Sequence, residues 1–449
     1  MADQETTASK YAGVTQAQLD AHWMPYSGNR QFKQDPRLLV AAKDCFYTSA
    51  DGRQIFDGLS GLWTTGAGHG RSEIANAVAA QIQQLDYSPG FQFGQPKSFI
   101  LAERLSHWMP PGLNRIFFTG SGSEAADTSL KIARAYWRKL GKGTKTKFIG
   151  RAKGYHGVNF GGISVGGLPA NRAWYGAGIE SYHLASTLLP ENRFTRGEPE
   201  QGAHLAEQLI DLIQLHDASN IAAVILEPMA GSGGVIPPPK GYLQRIAEIC
   251  QAHDILLIFD EVITGFGRLG YKTGAEAYGV VPDMINVAKQ ITNGVIPMGA
   301  VACKQGIYDA FMEDAGPDYQ LELPHGYTYS AHPVACAAAL ATLDILEQEQ
   351  LIERAHGLIP EIEQRVHQLQ GLPYVSDIRN SGTASAVSFE PAPGEPLLRP
   401  YQVAMAMWSK GFYVRYGGDT VAIAPPFIAE LNQLDDIYSA LGDCIAELT

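Results

Sequence analysis

Three short apolar runs, each followed at once by an ionisable residue, constrain the fold of this chain more than any other feature. Continuous apolar runs of this length are typical of strands in a parallel sheet that is covered on both faces. In such sheets, ligands bind at the carboxyl ends of the strands. The pattern therefore predicts one sheet edge at which a glutamate, an aspartate and a lysine meet. The runs are residues 221–226 before Glu227, residues 255–259 before Asp260 and residues 285–288 before Lys289.

Helix-like and strand-like segments alternate between about residues 72 and 330, which is typical of βαβ units. We therefore predict an α/β protein with a large lobe built on a mostly parallel sheet and a smaller α+β lobe. The expected regions are an N-terminal arm belonging to the small lobe, a large ligand-binding domain and a C-terminal small domain, at residues 1–70, 71–330 and 331–449.

Composition and charge exclude several classes of partner. The net charge of −12 argues against nucleic acid or an anionic membrane as a partner. No apolar run approaches the roughly 20 residues that a membrane span needs, and the polar, acidic start has no signal-peptide pattern. The five cysteines are scattered without a C-x-x-C pair, so we expect reduced thiols in the cytoplasm and no metal site.

A glycine-serine turn, Gly120-Ser121-Gly122-Ser123, links a predicted strand at 115–118 to a predicted helix at 124–140. Ser121 and Glu124 have the spacing of a capping box. Free N–H groups and the positive end of the helix dipole make such a turn suitable for a phosphate. On this turn alone, a phosphate site and an ordinary helix cap are equally good interpretations.

Lys289 is the candidate for covalent chemistry. Partial burial lowers the pKa of an amine, and a neutral amine forms a Schiff base with an aldehyde. Pyridoxal phosphate also needs a carboxylate on its ring nitrogen, and Asp260 is expected one strand from Lys289. A lysine with its amine in solvent is the commoner arrangement. The combination with Asp260, Glu227 and the glycine-serine turn favours the Schiff base.

Three other segments carry candidate site residues. Tyr155 and His156 follow a predicted strand at 147–149, where an aromatic ring either stacks on a cofactor or packs in the core. Arg415 lies in an apolar strand pattern, so we expect it to be buried and to pair with a substrate carboxylate or a structural partner. Gly265–Gly270 matches G-x-G-x-x-G, but no clear helix follows, so a dinucleotide site is disfavoured.

Taken together, the motifs resemble the class III aminotransferases, which are pyridoxal-phosphate enzymes of fold type I, over nearly the whole chain. Within that family the chain is most similar to the branch that transfers amines from ω-amino acids such as β-alanine to pyruvate. The family motifs are SGSEA at 121–125, YHG at 155–157, EP at 227–228, IFDEV at 258–262, TGFGR at 264–268, KQITNG at 289–294 and Thr328. The branch motifs are LSGLW at 59–63, YSPGF at 87–91, DEVIT at 260–264 and HGYTYSAHP at 325–333.

The resemblance implies fold type I with a seven-stranded sheet, and it implies the cofactor pyridoxal 5'-phosphate. Lys289 would form the Schiff base and move the proton, and Asp260 would pair with the ring nitrogen. The remaining implied cofactor contacts are Ser121, Gly122, Ser123, Tyr155, His156, Glu227, Val262 and Thr328. The implied substrate contacts are Trp63, Phe91, Tyr155 and Arg415.

The resemblance also implies shared active sites, because Thr328 would reach the phosphate in a neighbouring subunit and Phe91 would come from the partner chain. A homodimer is the minimum, with a homotetramer as the alternative. Three positions depart from the pattern. Gly120 replaces a frequent Asn, Ile263 replaces the Gln of ornithine and 4-aminobutyrate enzymes, and Ala422 replaces a Gln of β-alanine enzymes.

The predicted reaction is a ping-pong transfer of an amino group from an ω-amino acid or primary amine to pyruvate, giving alanine and an aldehyde or ketone. Transfer from diamines or 4-aminobutyrate is one alternative. A decarboxylase or aminomutase on the same fold, a protein that merely carries the cofactor, and a dinucleotide-dependent oxidoreductase are the others.

Overall fold

The computed structural model describes residues 13–313 and 316–448, so the first twelve residues of the predicted arm lie outside the described residues. The strands are β1 Leu39–Lys43, β2 Phe46–Ser49, β3 Gln54–Asp57, β4 Arg115–Thr119, β5 Lys147–Arg151, β6 Ser181–Leu184, β7 Ile221–Leu226, β8 Leu256–Asp260, β9 Met284–Val287, β10 Gly299–Cys303, β11 Val375–Ser381, β12 Ala384–Phe389, β13 Phe412–Tyr413, β14 Arg415–Gly417 and β15 Thr420–Ile423.

The α-helices are α1 Gln16–Ala21, α2 Asn29–Gln34, α3 Ser72–Gln84, α4 Pro96–Trp108, α5 Gly122–Lys139, α6 Phe160–Val165, α7 Pro169–Tyr175, α8 Gln208–His216, α9 Tyr242–Ala252, α10 Gly274–Tyr278, α11 Gln305–Met312, α12 Pro333–Gln348, α13 Leu351–His367, α14 Leu398–Ser409 and α15 Leu431–Ala446. Short helical turns lie at Ser60–Trp63, Pro190–Asn192, Ala203–Glu207, Ala218–Asn220 and Lys289–Thr292.

A seven-stranded sheet in the order β4-β10-β9-β8-β7-β5-β6 forms the centre of the large lobe. Strand β10 runs antiparallel to β4 and β9, and the other pairs are parallel. Every residue of β7, β8 and β9 is buried, as expected for strands covered on both faces. Because Asp260 pairs with Asn286 across β8 and β9, the chain after both strands emerges at the same edge. The predicted α/β fold with a mostly parallel seven-stranded sheet is confirmed.

Helix α5 covers one face of this sheet and begins at the glycine-serine turn. Its buried residues include Leu130, Ala133 and Trp137, which lie in one core cluster with residues of β7 and β8. The Trp137 indole N–H donates to the Ala222 carbonyl at 2.8 Å. This packing fixes the amino end of α5 beside the carboxyl ends of the strands.

The small lobe is built on an antiparallel sheet in the order β11-β12-β15-β14. Residues of α13, α14 and α15 form its core together with that sheet. The arm adds a second small sheet, in which its strands β1, β2 and β3 extend to β13 near the other end of the chain. The parallel pair of Phe56 with Phe412 joins the arm to the small lobe.

The division into residues 1–70, 71–330 and 331–449 stays a prediction. Helix α12 begins just after the second boundary, and its buried residues Ala335, Cys336 and Leu343 belong to the core cluster of the large lobe. We propose that α12 connects the two lobes structurally. Among the described residues, no helix is long and apolar enough to cross a membrane, and no group of three metal-ligating side chains is found.

Candidate active site

A cavity of about 280 Å³ lies at the carboxyl ends of β7, β8 and β9. It contains the edge at which the sequence predicted a glutamate, an aspartate and a lysine to meet. The predicted site residues in its wall are Ser121, Gly122, Ser123, Tyr155, Glu227, Asp260, Val262 and Lys289.

Lys289 directly follows the end of β9 and opens the helical turn Lys289–Thr292. Its φ of 49° is unfavourable for a residue with a side chain, so the surrounding structure must hold it there. Burial lowers the pKa of the Lys289 ammonium to about 8, although the Asp260 and Glu227 carboxylates oppose this shift. At mildly alkaline pH, a substantial fraction of this amine is therefore neutral and nucleophilic.

Asp260 ends β8 and is 4% exposed. His156 Nδ1 lies 2.8 Å from its Oδ2, and the Val262 backbone N–H donates to its Oδ1 at 3.2 Å. These two contacts fix the plane of the carboxylate at the floor of the cavity. His156 is buried behind Asp260 and does not line the cavity, and its Nε2 has no hydrogen-bond partner among the described residues.

Glu227 connects two loops of the site. Its carboxylate accepts hydrogen bonds from the backbone N–H of Tyr155 at 2.8 Å and of Gly231 at 3.1 Å. The pKa of this carboxyl is raised to about 7, mainly by burial and to a smaller extent by the Asp260 charge, while His156 opposes the shift. Through these contacts Glu227 holds the backbone of Tyr155, whose ring lies in the cavity wall.

The glycine-serine turn is a helix cap that also faces the cavity. Ser121 Oγ accepts from the Glu124 N–H at 3.2 Å, and the Glu124 carboxylate accepts from the Gly120 N–H at 2.7 Å. The capping box is thus displaced, because Glu124 reaches Gly120 and not the Ser121 N–H. Ser123 Oγ accepts from the Val158 N–H at 3.1 Å. A Cβ on Gly122 would lie 3.0 Å from both Val262 methyls, so a side chain there would fill the space beside the turn.

The other predicted substrate residues lie outside this cavity. Trp63 is 3% exposed and packs in a buried cluster with Ile263 and Ala422. Phe91 is 54% exposed, and Thr328 is also exposed. The Tyr87 hydroxyl donates to the Thr328 carbonyl at 3.1 Å, which places the 87–91 and 325–333 segments side by side. Within one chain, neither Phe91 nor Thr328 lines the cavity.

The expectation that Arg415 is buried in an apolar strand is wrong. Arg415 is exposed at the start of β14, which is paired only with β15 and is therefore an edge strand. It lines a second cavity of about 380 Å³ between the arm and the small lobe. Burial is the largest cause of both pKa shifts: it lowers the pKa of Lys289 and raises that of Tyr155. The Arg415 charge is a smaller cause, and it lowers both pKa values. The apolar run Phe412, Tyr413 and Val414 suggested that the next residue is also buried. In the structure, Val414 is the last buried residue before β14, and Arg415 is exposed.

Several wall residues were not predicted from the sequence. Thr64, Thr292 and Met298 line the cavity. The pKa of Tyr155 is raised to about 12, mainly by burial and to a smaller extent by Tyr26. Thr64 lies in a glycine-rich stretch at 62–70, which by itself indicates only an irregular segment. Tyr26 had no signal, because its approach to Tyr155 depends on how the arm folds over the large lobe.

The G-x-G-x-x-G match at Gly265–Gly270 has a packing explanation. A Cβ on Gly267 would lie 2.8 Å from Ile352 Cδ1 and 2.9 Å from the Phe427 ring. A Cβ on Gly270 would lie 2.9 Å from the Cα of His356. These glycines let the small lobe approach the turn after β8. A dinucleotide site is therefore not supported here.

Comparison with known proteins gives consistent results. The sequence profile of the family Aminotransferase class-III matches residues 28–445. The chain is 56% identical over 428 residues to the beta-alanine–pyruvate aminotransferase of Pseudomonas aeruginosa, covering 95% of this chain and 96% of that protein. It is 53% identical to the omega-amino acid–pyruvate aminotransferase of Pseudomonas putida, covering 97% of each.

Solved structures share the fold at lower identity. A thermostable (S)-enantioselective omega-transaminase from Thermomicrobium roseum superposes with a TM-score of 0.89 at 33% identity, covering 96% of this chain and 97% of that one. An amine transaminase from an uncultivated Pseudomonas species, described in its PLP-bound form, gives 0.86 at 34% identity, covering 95% and 98%.

The residues of the cavity fit pyridoxal phosphate. They provide a partly neutral lysine amine, a fixed carboxylate for a ring nitrogen, and the amino end of α5 for a phosphate. Residue 122 has no side chain, so the backbone at the amino end of α5 lies directly in the cavity wall. The chain therefore belongs to the class-III aminotransferase family and is a pyridoxal-phosphate-dependent aminotransferase.

Proposed function

We propose that this enzyme transfers the amino group of an ω-amino acid or primary amine, such as β-alanine, to pyruvate, giving alanine and an aldehyde or ketone. The observation that carries the proposal is Lys289, a partly buried amine with a pKa of about 8 in the same cavity wall as Asp260. The extent of similarity to enzymes named for β-alanine and pyruvate supports the choice of substrates.

Bound pyridoxal phosphate supplies an electrophilic carbonyl for the amine and a ring that accepts electrons. Lys289 would hold the cofactor in the resting enzyme, and its amine, once free and neutral, would remove and return the proton at the amine-bearing carbon of each substrate. Asp260, held by His156 and the Val262 N–H, would keep positive charge at the ring nitrogen. In the cofactor-free protein, the Lys289 amine is increasingly protonated below about pH 8, so attachment of the cofactor is favoured above that pH.

The remaining residues hold the cofactor and select the substrate. Ser121, Gly122 and Ser123 would hold the phosphate, and Tyr155 and Val262 would hold the ring; all five line the cavity. Glu227 supports Tyr155 by accepting a hydrogen bond from its backbone N–H, and His156 supports Asp260 by contact with its carboxylate. The guanidinium of Arg415 binds the carboxylate of pyruvate, which its planar donor geometry suits. Arg415 is exposed, so this contact requires its long side chain to turn toward the cavity.

The assembly in this proposal is a homodimer at least, with a homotetramer as the alternative, and its active sites are shared. The exposed positions of Phe91 and Thr328, outside their own cavity, are the supporting observation. Light scattering gives the oligomeric state. Mixing a Lys289→Ala chain with a Thr328→Glu chain tests sharing, because one mixed site would then combine an intact Lys289 with an intact Thr328. No recovered activity after subunit exchange would contradict shared sites.

The proposed location is the cytoplasm, supported by five cysteines that are all buried and free. Fractionation of producing cells tests this, and recovery of the enzyme outside the cytoplasmic fraction would contradict it.

Two half-reactions test the chemistry. Addition of β-alanine to the loaded enzyme should bleach the cofactor's visible absorbance, and pyruvate should restore it with one alanine formed per site. Release of carbon dioxide, or an isomerised amine without any need for pyruvate, would instead indicate a decarboxylase or an aminomutase. Parallel assays with 4-aminobutyrate and a diamine test the nearest alternative donors, and faster bleaching by either would change the proposed donor.

A further inference from the structure

Arg268 is a fully buried cation that none of the roles above includes. It is 0% exposed and lies in the turn between β8 and α10. Its NH1 donates to Thr383 Oγ1 at 3.1 Å and to the Pro425 carbonyl at 3.0 Å. Its NH2 donates to Ser60 Oγ at 3.0 Å. One guanidinium thus connects the turn after β8 with the small lobe and the arm.

The charge of Arg268 has no carboxylate within ion-pair distance among the described residues. Instead, its guanidinium lies 4.9 Å from the ring centroid of Phe427 and 5.8 Å from that of Trp63. Burial lowers the pKa of Arg268 to about 9, and Asp57 is the carboxylate that opposes the shift. Burial of a cation without an ion pair is costly, so its retention needs an explanation beyond simple packing.

The arm segment that Arg268 contacts is strained. Ser60, Gly61 and Trp63 have φ values of 49°, 67° and 66°. Such a conformation persists only when its surroundings determine it. Asp57 holds the first part of the segment by accepting from the Leu59 N–H at 3.1 Å and the Gly61 N–H at 2.6 Å. Arg268 holds the second part through Ser60 Oγ and the Trp63 ring.

We propose that Arg268 is a positioning residue, which fixes Trp63 against Ile263 and Ala422 and so sets the size of the amine donor that the site accepts. The selection of donors in this statement rests on the amine transfer proposed above. Ile263 lines the cofactor cavity and shares a buried cluster with Trp63 and Ala422, so a shift of Trp63 is transmitted to the cavity wall. The neighbouring Thr64 is itself a wall residue.

The geometry explains why arginine serves here. A planar guanidinium can donate in its plane to Ser60, Thr383 and Pro425 while its face lies against aromatic rings. A lysine ammonium has no flat face to place against Trp63. The substitution Arg268→Lys keeps the charge, so it separates positioning from electrostatics.

The first test compares donors of different size. Arg268→Met, Arg268→Lys and Ser60→Ala are assayed with β-alanine and with an arylalkylamine, using pyruvate as acceptor. Loosening Trp63 should raise the ratio of kcat/KM for the bulky donor to that for β-alanine by about tenfold in Arg268→Met, mainly through KM. Ser60→Ala should shift the ratio in the same direction by about threefold, since it removes one hydrogen bond of the Arg268 guanidinium and the donation from Ser60 Oγ to the Ala424 carbonyl.

The second test needs no activity. Hydrogen exchange in the cofactor-free protein should accelerate about tenfold or more for the amides of residues 61–65 in Arg268→Met. Lys145→Met is the matched control, because Lys145 is also a buried cation that donates to carbonyls and lies against a tryptophan ring, at the opposite edge of the sheet. It should lower stability without changing exchange at 61–65 or the donor ratio.

If the donor ratio of Arg268→Met and Arg268→Lys stays within about twofold of wild type, the specificity role is wrong. If exchange at 61–65 changes no more than in Lys145→Met, the positioning itself is wrong. Should Arg268→Met fail to fold, Ser60→Ala and Arg268→Lys decide by the same two measurements. Failure of the wild-type enzyme with every donor would contradict the proposed function alone, because hydrogen exchange still tests the anchoring of the segment.

Discussion

Two lysines at opposite edges of the same sheet have opposite surroundings. Lys145 lies near the amino ends of β5, β7 and β8, where its amine donates to the carbonyls of Ala218 at 2.8 Å, Ile221 at 3.2 Å and Asp254 at 2.6 Å. It also lies 4.5 Å from the Trp137 ring centroid. Lys289 lies at the carboxyl ends, and its amine makes no hydrogen bond within the described part of the chain.

Burial lowers the pKa of both amines, but only for Lys289 is the shift large, to about 8. Three carbonyls stabilise the ammonium form of Lys145, so it acts as a structural cation. Lys289 has carboxylates near it but no direct acceptor, and it faces a cavity. Burial is the largest cause of both pKa shifts, and the geometric difference between the two lysines is that only Lys145 donates to backbone carbonyls.

The largest expected difference between the two lysines is in catalysis. Lys289→Ala should lower the transamination rate by about 10⁴-fold or more, because both the attachment point and the base are lost. Lys145→Met should stay within about twofold of wild type, since it touches nothing at the cavity. Steady-state alanine formation measures both. Equal losses in the two variants would mean that the lysines are not functionally distinct.

Asp260→Asn tests the carboxylate beside Lys289. The amide keeps the shape and can still meet His156, but it cannot keep positive charge at the ring nitrogen. We expect kcat to fall by about 10²–10³-fold while the protein still binds the cofactor, because this is the usual size of one lost electrostatic contact. Visible absorbance reports cofactor binding, and a rate close to wild type would remove Asp260 from the proposed chemistry.

The pH dependence of amine reactivity sharpens the comparison without any substrate. In the cofactor-free protein, acetylation of Lys289 by acetic anhydride should have a midpoint near pH 8, as its pKa predicts. An unperturbed lysine has a pKa of about 10.4. Lys145 should stay unlabelled until the protein unfolds, because its amine is enclosed. Peptide mass spectrometry gives the profiles, and a midpoint near that of an unperturbed lysine would contradict the assignment of Lys289 as the neutral base.

The same pKa fixes the sign of one stability effect. Between about pH 8 and pH 10, the unfolded chain binds more protons at Lys289 than the folded chain does. The free energy of unfolding therefore rises with pH through this window. Below about pH 8, the buried ammonium of Lys289 destabilises the folded chain.

The smallest expected effect is the loss of stability in Lys145→Met. The substitution leaves three backbone carbonyls without their donor, which costs about 2–4 kcal/mol. The melting temperature should fall by several degrees while the donor profile is retained. Thermal unfolding monitored by circular dichroism measures the change, and an unchanged melting temperature would show that water replaces the ammonium at no cost.

The sequence predicted the central part of the fold from local patterns. The apolar runs before Glu227, Asp260 and Lys289 are strands β7, β8 and β9, and the turn at 120–123 opens α5. These predictions succeeded because strand periodicity and helix capping depend on residues close in sequence. The mostly parallel sheet follows from the same patterns.

Features that depend on distant segments could not be predicted in this way. The sequence placed Arg415 in the interior, whereas it lies on an exposed edge strand. It gave no indication that His156 supports Asp260 from behind, or that Tyr26 reaches Tyr155. The pairing of Phe56 with Phe412 joins segments near opposite ends of the chain, and no local pattern specifies such a contact.

By itself, the sequence determined which residue types end the strands, and therefore which chemistry is available at that edge. The tertiary structure decided how those groups behave, because pKa values and side-chain positions depend on neighbours from several segments. Lys289 and Lys145 differ through their acceptors, and Trp63 is held by an arginine from a distant part of the chain. Local pattern thus specified the elements, and long-range packing specified their reactivity.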